Sequence, residues 1–372
     1  MEFIDLKAQY RAYQAELEEA ALKVLRSGRY ILGPEVAALE KALAARVGVR
    51  YAVGVSSGTD ALLLILTALG LGPGDAVIVP CFTFAATAEV VRRVGAQVVF
   101  ADVDEKFMVL TPETVKIALS KAREQGLSVR ALVAVGLFGA PSFLDELEVL
   151  AASEGLWLIE DACQSLGASL KGRAAGSFGK AAAVSFFPAK PLGAYGDAGM
   201  VFTSEEGLFE KIKALRVHGQ TERYLHVYLG FNARLDTLQA ALLLVKLKYF
   251  DQEIERRREI ARRYREGLAG LPLRFQALPA GAESVYAQFV LCTKERDALR
   301  DFLAARGIPT AVYYPRPLHL QPAFSELGYR AGSFPAAEKL AQEILALPMH
   351  PFLKQEAQEF IIQTVRAFYD AG

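Results

Sequence analysis

The 372-residue sequence predicts an α/β chain built around a mostly parallel sheet, with a second, smaller unit at its C-terminal end. Three observations predict it. Short apolar runs of strand length alternate with helical patterns through the first two thirds of the chain, as in repeated βαβ units. Those runs are apolar throughout, which is what a strand buried on both faces requires. Hydrophobic residues make up 52% of the chain and charged residues 23%, enough apolar surface to cover such a sheet and too much for disorder. At roughly 150 residues per domain, the length corresponds to two domains sharing a cleft.

Taken in order, 51–55 reads as a strand, 59–69 as an apolar helix and 76–80 as a strand. A helix over 83–94, a strand over 97–101 and a helix over 112–123 follow. The alternation continues with a strand over 131–135, a helix over 142–153 and a strand over 156–160 that runs into Asp161. Two more strand-like runs, 181–186 and 199–203, bracket a loop at 187–196 punctuated by Pro and Gly, and exposed loops are where chemistry concentrates. The stretch 235–268 reads as one long helix. It is apolar at Leu238, Ala241, Leu242 and Val245 and then dense in charge over 253–258, which suits a connection between domains. This divides the chain into a large domain, 1–250, and a small C-terminal α+β domain, 251–372. The latter carries a β-like run at 285–293, a helix over 296–306, a Pro-rich stretch at 309–322 and an amphipathic helix after Leu353.

Composition excludes several classes of function. The 42 basic and 42 acidic side chains cancel and form no basic stripe, so nucleic acid is not the expected partner. The longest runs free of Asp, Glu, Lys and Arg are fourteen residues, 61–74 and 131–144, below the ~18 of a membrane span. Glu2, Asp5 and Lys7 break the layout of a signal peptide, which makes the cytoplasm the expected compartment. Cys81, Cys163 and Cys292 are too scattered for a zinc site or a disulfide framework, and His218, His226, His319 and His350 form no ligand pair, so no metal is expected. A single Asn, Asn232, beside three Cys and four Met, is the depletion of heat-labile side chains expected of a thermophilic source. The one Asn retained then has a task other residues cannot perform.

Three features could carry chemistry. Ser56-Ser57-Gly58-Thr59-Asp60 opens a helix after a strand, where N–H groups and hydroxyls favour a phosphate; taken alone it reads first as an ordinary N-cap. Asp161 ends a buried strand on the edge where parallel sheets bind ligands; a carboxylate buried there needs a cation, unless it only caps the next segment. Lys190 is the one charge in the sixteen residues 181–196. Desolvation would lower its ammonium pKa and free an amine for Schiff-base chemistry, whereas a snorkelling lysine would reach solvent. Together these are the phosphate cradle, ring-nitrogen acid and Schiff-base lysine of a pyridoxal phosphate site.

The stretches S-S-G-T-D-A-L, G-P-G-D-A-V-I-V-P-C-F-T-F-A-A-T-A, I-E-D-A-C-Q-S-L-G-A, S-F-F-P-A-K-P-L-G-A-Y-G-D-A-G, L-R-V-H-G-Q and N-A-R-L-D-T-L-Q-A-A resemble the DegT-type family of pyridoxal 5′-phosphate (PLP)-dependent nucleotide-sugar aminotransferases. F-I-D-L-K-A-Q-Y, R-Y-I-L-G-P-E-V and A-L-P-M-H-P-F-L look most like the branch that aminates C3 of UDP-2-acetamido-3-oxo-glucuronate in polysaccharide biosynthesis. The resemblance implies a fold-type-I PLP-dependent transferase, a homodimer with shared active sites, and ping-pong transfer from glutamate, or glutamine, to a nucleotide-linked keto-sugar, a 3-keto-sugar foremost. It implies that Lys190 bonds the cofactor and moves the proton, Asp161 keeps the ring nitrogen protonated, Gln164 contacts the phenolic oxygen and Phe84 stacks on the ring. Gly58, Thr59 and Ser185 would hold the phosphate, and Asn232, with Arg234 beside it, would reach in from the second subunit. Arg234, Tyr313 and Tyr314 are the candidate sugar contacts, the two tyrosines being equally explained by packing. Tyr228 stands where the glucuronate branch has a basic residue, which removes a partner for a uronate carboxylate. A sister class of PLP-dependent sugar dehydratases has histidine in place of the lysine, so Lys190 favours transamination. A non-catalytic pleiotropic regulator is the remaining alternative.

Overall fold

The computed structural model describes residues 1–370. Its centre is a seven-stranded sheet in the order β1-β9-β8-β5-β4-β2-β3. The first five strands along the chain are β1 (Tyr51–Val55), β2 (Asp75–Pro80), β3 (Gln97–Ala101), β4 (Ser128–Val135) and β5 (Trp157–Asp161). A hairpin of β6 (Ser169–Leu170) and β7 (Arg173–Ala174) precedes β8 (Ala181–Ser185) and β9 (Gly199–Thr203). Neighbours from β3 to β8 are parallel, while β9 runs antiparallel to both β8 and β1. Val77, Ile78, Leu132, Ile159 and Ala183 are fully buried, so helices cover both faces, as the unbroken apolar runs require. Val135 pairs with Asp161 and Asp161 with Ala183, which aligns the C-terminal ends of β4, β5 and β8 in one row.

Helices α1 (Leu6–Ser27) and α2 (Pro34–Val47) precede the sheet, and neither is evident from the periodicity of the first fifty residues. Only Gln9, Leu17 and Val24 of α1 are buried, too few to mark a stripe. Helices α3 (Gly58–Ala68), α4 (Ala86–Arg93), α5 (Pro112–Glu124), α6 (Leu144–Ser153) and α7 (Glu206–Leu215) lie between strands. Instead of starting at 83, α4 begins at Ala86, and the residues before it turn across the end of β2, leaving the Phe84 side chain exposed. A hairpin, β10 (Gln220–Glu222) and β11 (Leu225–His226), projects before α8.

The expected single helix over 235–268 is two, α8 (Thr237–Leu247) and α9 (Phe250–Gly267). At the junction Lys248 N bonds Val245 O and Tyr249 N bonds Lys246 O, tight i→i−3 turns that end an α-helix. Tyr249 is stacked on Tyr13 of α1 at 4.1 Å, and that contact sets where the chain turns. Beyond it, β12 (Arg274–Phe275), β13 (Ala282–Glu283), β14 (Phe289–Cys292) and β15 (Ile344–Leu347) complete the strands, with β12-β14-β15 forming an antiparallel sheet. The β-like run at 285–293 contracts to β14, and its partner β15 falls in a segment the sequence left unassigned. Phe289, Leu291, Leu345 and Leu347 pack under α9, α10 (Arg296–Ala304) and α12 (Gln355–Asp370). Val290, Cys292, Ile344 and Ala346 face the other way, into the main core beside α11 (Pro335–Glu343), as a period of two dictates.

Candidate active site

A cavity of about 400 Å³ opens at the C-terminal ends of the parallel strands, the edge on which such sheets bind ligands. Nine of the sequence-predicted residues line it: Gly58, Thr59, Phe84, Asp161, Gln164, Ser185, Lys190, Tyr313 and Tyr314.

One wall is the start of α3. Ser57 caps the helix by accepting from Asp60 N at 3.0 Å, so this segment is an N-cap and a cavity wall at once. The N–H groups of Gly58 and Thr59, at the first two helical positions, have no intrahelical acceptor. A Cβ on Gly58 would lie 2.7 Å from Ser185 Cβ and 2.8 Å from Cys163 Sγ, so only glycine lets the backbone sit this close to β8.

Opposite, Asp161 is 5% exposed. Its Oδ2 accepts from Thr87 Oγ1 at 2.8 Å and its Oδ1 from Cys163 N at 3.2 Å. Both donors are neutral, and among the described residues no cation stands within ion-pair distance of it. A buried carboxylate held by neutral donors is matched to a cationic ligand. Gln164 Oε1 accepts from Phe138 N at 2.9 Å, which turns its Nε2 toward Tyr314 Oη, 3.4 Å away. Phe84 is 55% exposed at the rim, its ring 6.4 Å from that of Tyr314. Burial pushes the phenol of Tyr314 upward, so it stays a neutral donor.

Lys190 rides the loop between β8 and β9. Burial pushes its ammonium below the usual lysine range, and the neighbouring Cys163 thiol and Asp161 carboxylate oppose that only in part. The side chain is half-buried against the cavity. Burial pushes the Cys163 thiol well above its ordinary value, which keeps it protonated beside the lysine.

Two predicted residues stand outside this cavity. Asn232 is exposed and bridges to Val217; Arg234 bridges to Val55 at the end of β1, and Ser56 N bonds Ala233 O at 3.2 Å. Sequence reasoning missed Thr87, Asp197 and Gln288. Thr87 lies within the quoted F-T-F-A-A-T-A run, where only its approach to Asp161 distinguishes it from a helix-surface hydroxyl. Gln288 comes from the far end of the chain and lines the cavity with a buried Oε1 that has no partner.

The arrangement accepts a flat ring with a basic nitrogen at Asp161, a phosphate at the start of α3 and a carbonyl carbon at Lys190. Comparison with known proteins agrees with that chemistry. The DegT/DnrJ/EryC1/StrS aminotransferase family matches residues 12–366. The chain belongs to that family. A relative from Pseudomonas aeruginosa, a UDP-2-acetamido-2-deoxy-3-oxo-D-glucuronate aminotransferase, is 41% identical over 353 residues, covering 95% of this chain and 96% of its own. A pleiotropic regulatory protein of Geobacillus stearothermophilus is 41% identical over 370 residues, with 98% of each chain covered. The crystal structure of S. venezuelae DesV in complex with a ketimine intermediate superposes with a TM-score of 0.95 at 41% identity, over 99% of this chain and 98% of that one. As a member of the family, the chain has the fold-type-I architecture expected from its sequence.

Proposed function

We propose that this aminotransferase takes its amino group from glutamate and delivers it to C3 of a nucleotide-linked keto-sugar. Pyridoxal 5′-phosphate is the cofactor of the family, and when bound it supplies an electron-accepting pyridinium ring. The observation that carries the reading is the pairing of a desolvated Lys190 with an Asp161 that has no cation of its own. With the cofactor bound, Asp161 would hold the proton on the ring nitrogen, Gly58 and Thr59 N–H and Ser185 Oγ would hold the phosphate, Gln164 would serve the phenolic oxygen, and Phe84 would lie against the ring. Lys190, as a free amine, takes the proton from Cα of glutamate and returns one to the substrate side during the second half-reaction. Tyr313 and Tyr314 line the sugar side.

Lysine at position 190 argues against the dehydratase alternative, and a complete set of reacting groups argues against a purely regulatory role. Lys190 is the one cation among the described residues that line the cavity, so this chain offers no separate partner for a uronate carboxylate, and Tyr228 adds none. A nucleotide-linked 3-keto-sugar is the favoured acceptor. A homodimer in which Asn232 and Arg234 serve the neighbouring site, the domain division at 250/251, a cytoplasmic location and a thermophilic source belong to the same reading. No described helix is long and apolar enough to cross a membrane. The deciding experiment incubates the enzyme and glutamate with nucleotide-linked 3-keto- and 4-keto-sugars and detects product by mass. Aminated 3-keto-sugar is expected; amination of the 4-keto-sugar alone would overturn the C3 assignment, and no amination of either would overturn the enzyme reading.

A further inference from the structure

The loop that carries Lys190 is held from below by one face of α8. Gln239 and Lys246 are seven residues apart, two helical turns, and therefore project from the same side. Gln239 Oε1 accepts from Tyr195 N at 2.8 Å, and its Nε2 donates to Tyr195 O at 3.3 Å. Lys246 Nζ donates to Gly193 O. The two side chains thus grip the main chain three and five residues beyond Lys190. Within the loop, Lys190 N bonds Phe187 O at 2.8 Å and Ala194 N bonds Phe186 O at 2.7 Å. Gly193 is so close to the preceding turn that a Cβ would lie 2.3 Å from Pro188 O. A pull on the Gly193 carbonyl is therefore transmitted to the turn that presents Lys190.

Lys246 is an expensive residue for this place. It is 3% exposed, and burial lowers its ammonium to about 8, which still leaves it charged at neutral pH. The groups facing it are the Tyr195 ring at 5.4 Å and, from α9, Glu253, which favours the charge, and Arg257, which opposes it. Glu253 is itself held by α1, accepting from Gln9 Nε2 at 2.9 Å and Tyr13 Oη at 2.9 Å. A methionine would fill the same volume without burying a charge. What the ammonium adds is a charge-assisted bond to one backbone carbonyl.

We propose that Lys246 and Gln239 are positioning residues that clamp the loop 187–196 and so fix the Lys190 amine relative to Asp161. The proposal rests on the reading of Lys190 as the reacting amine, and its test separates the two. Lys246→Met and Gln239→Leu are compared with the wild type by hydrogen exchange of the protein freed of cofactor, and by steady-state kinetics of the holoenzyme. In each variant, amides of 187–196 are expected to exchange about tenfold faster while β4 and β5 stay unchanged, and kcat to fall about tenfold with KM for the keto-sugar within twofold. Loop exchange unchanged in both variants would overturn the clamp, as would a loss confined to KM. Gln239→Leu, which removes no buried charge, decides the matter alone where Lys246→Met does not fold. Lys190→Ala is expected to retain wild-type loop exchange; turnover surviving in that variant would sink the functional reading and leave the exchange result standing.

Discussion

The chemistry of this site turns on how a few side chains are solvated. If Lys190 is the reacting amine proposed above, Lys190→Ala removes both the covalent anchor and the proton carrier, and turnover is expected to vanish while circular dichroism keeps the native spectrum. Asp161→Asn keeps the size of the side chain but cannot hold a protonated ring nitrogen. It is expected to retain bound cofactor, followed by absorbance, and to lose proton abstraction, followed by isotope washout from Cα of glutamate. Thr87→Val tests a residue the sequence did not single out. Its hydroxyl supplies one of the two neutral donors on Asp161, and losing a hydrogen bond to a charged group costs about 1.5–3 kcal/mol, so kcat is expected to drop roughly tenfold to a hundredfold. Wild-type kcat in Thr87→Val would show that Asp161 needs no such support. That Lys190 and Asp161 line the cavity was legible because a charge in an apolar run or at a strand end violates the local pattern. Thr87 violates nothing, because threonine on a short helix has several ordinary explanations, and only its distance from Asp161 reveals a role.

At the scale of the element, β5 presents successive carboxylates to opposite faces of the sheet. Asp161 faces the cavity, while Glu160 is fully buried, accepting from Gly176 N at 2.8 Å and Phe178 N at 3.3 Å, with its other oxygen unpartnered. Burial raises the Glu160 carboxyl from about 4.5 to about 8, against the pull of those two N–H groups and of Arg173. A carboxyl with a raised pKa binds a proton in the folded state that the unfolded chain has already released, so stability falls as pH rises from about 4.5 to about 8 and levels off above. Glu160→Gln, which cannot ionise, is expected to flatten that slope. Near pH 5 it should match the wild type, and near pH 8 it should be more stable by an amount of order a few kcal/mol, read from urea denaturation at both values. Equal slopes would mean that Glu160 is already ionised at neutral pH. The strands 51–55, 97–101 and 199–203 match observed strands end for end because two-sided burial writes itself directly into composition. Helix α1 and the α8–α9 break were illegible for the opposite reason: their positions depend on contacts such as Tyr13 on Tyr249, made across more than two hundred residues.

At the scale of the whole molecule the family was legible in the quoted motifs, and what the sequence of one chain does not display is how a second copy would complete the cavity. The proposed donor, glutamate, would bring two carboxylates, yet the cavity's one cation among the described residues is Lys190, which the proposed chemistry occupies. Asn232 and Arg234 stand beside the end of β1, outside the cavity, and large apolar side chains are exposed at Val227 and Leu229, nearby in sequence and the latter 98% exposed, and at Tyr30 and Ile31, where Ile31 bridges to Asp236. A second copy that covers these side chains and contributes Asn232 and Arg234 to the neighbouring cavity answers both deficits through one two-fold interface. Light scattering is expected to give a dimer at working concentrations, and a fully active monomer would refute the shared site. Mixing sharpens the test. Lys190→Ala and Asn232→Ala subunits, each expected to be nearly inactive as a homodimer, are combined in equal amounts and allowed to exchange. If the two residues belong to one site through different chains, a mixed dimer has one site with both lesions and one with neither. Random pairing makes half the dimers mixed, so about a quarter of wild-type activity should return. If Asn232 instead serves its own chain, every site in a mixed dimer keeps one lesion, and activity stays flat even after mass spectrometry shows that the mixed dimers have formed.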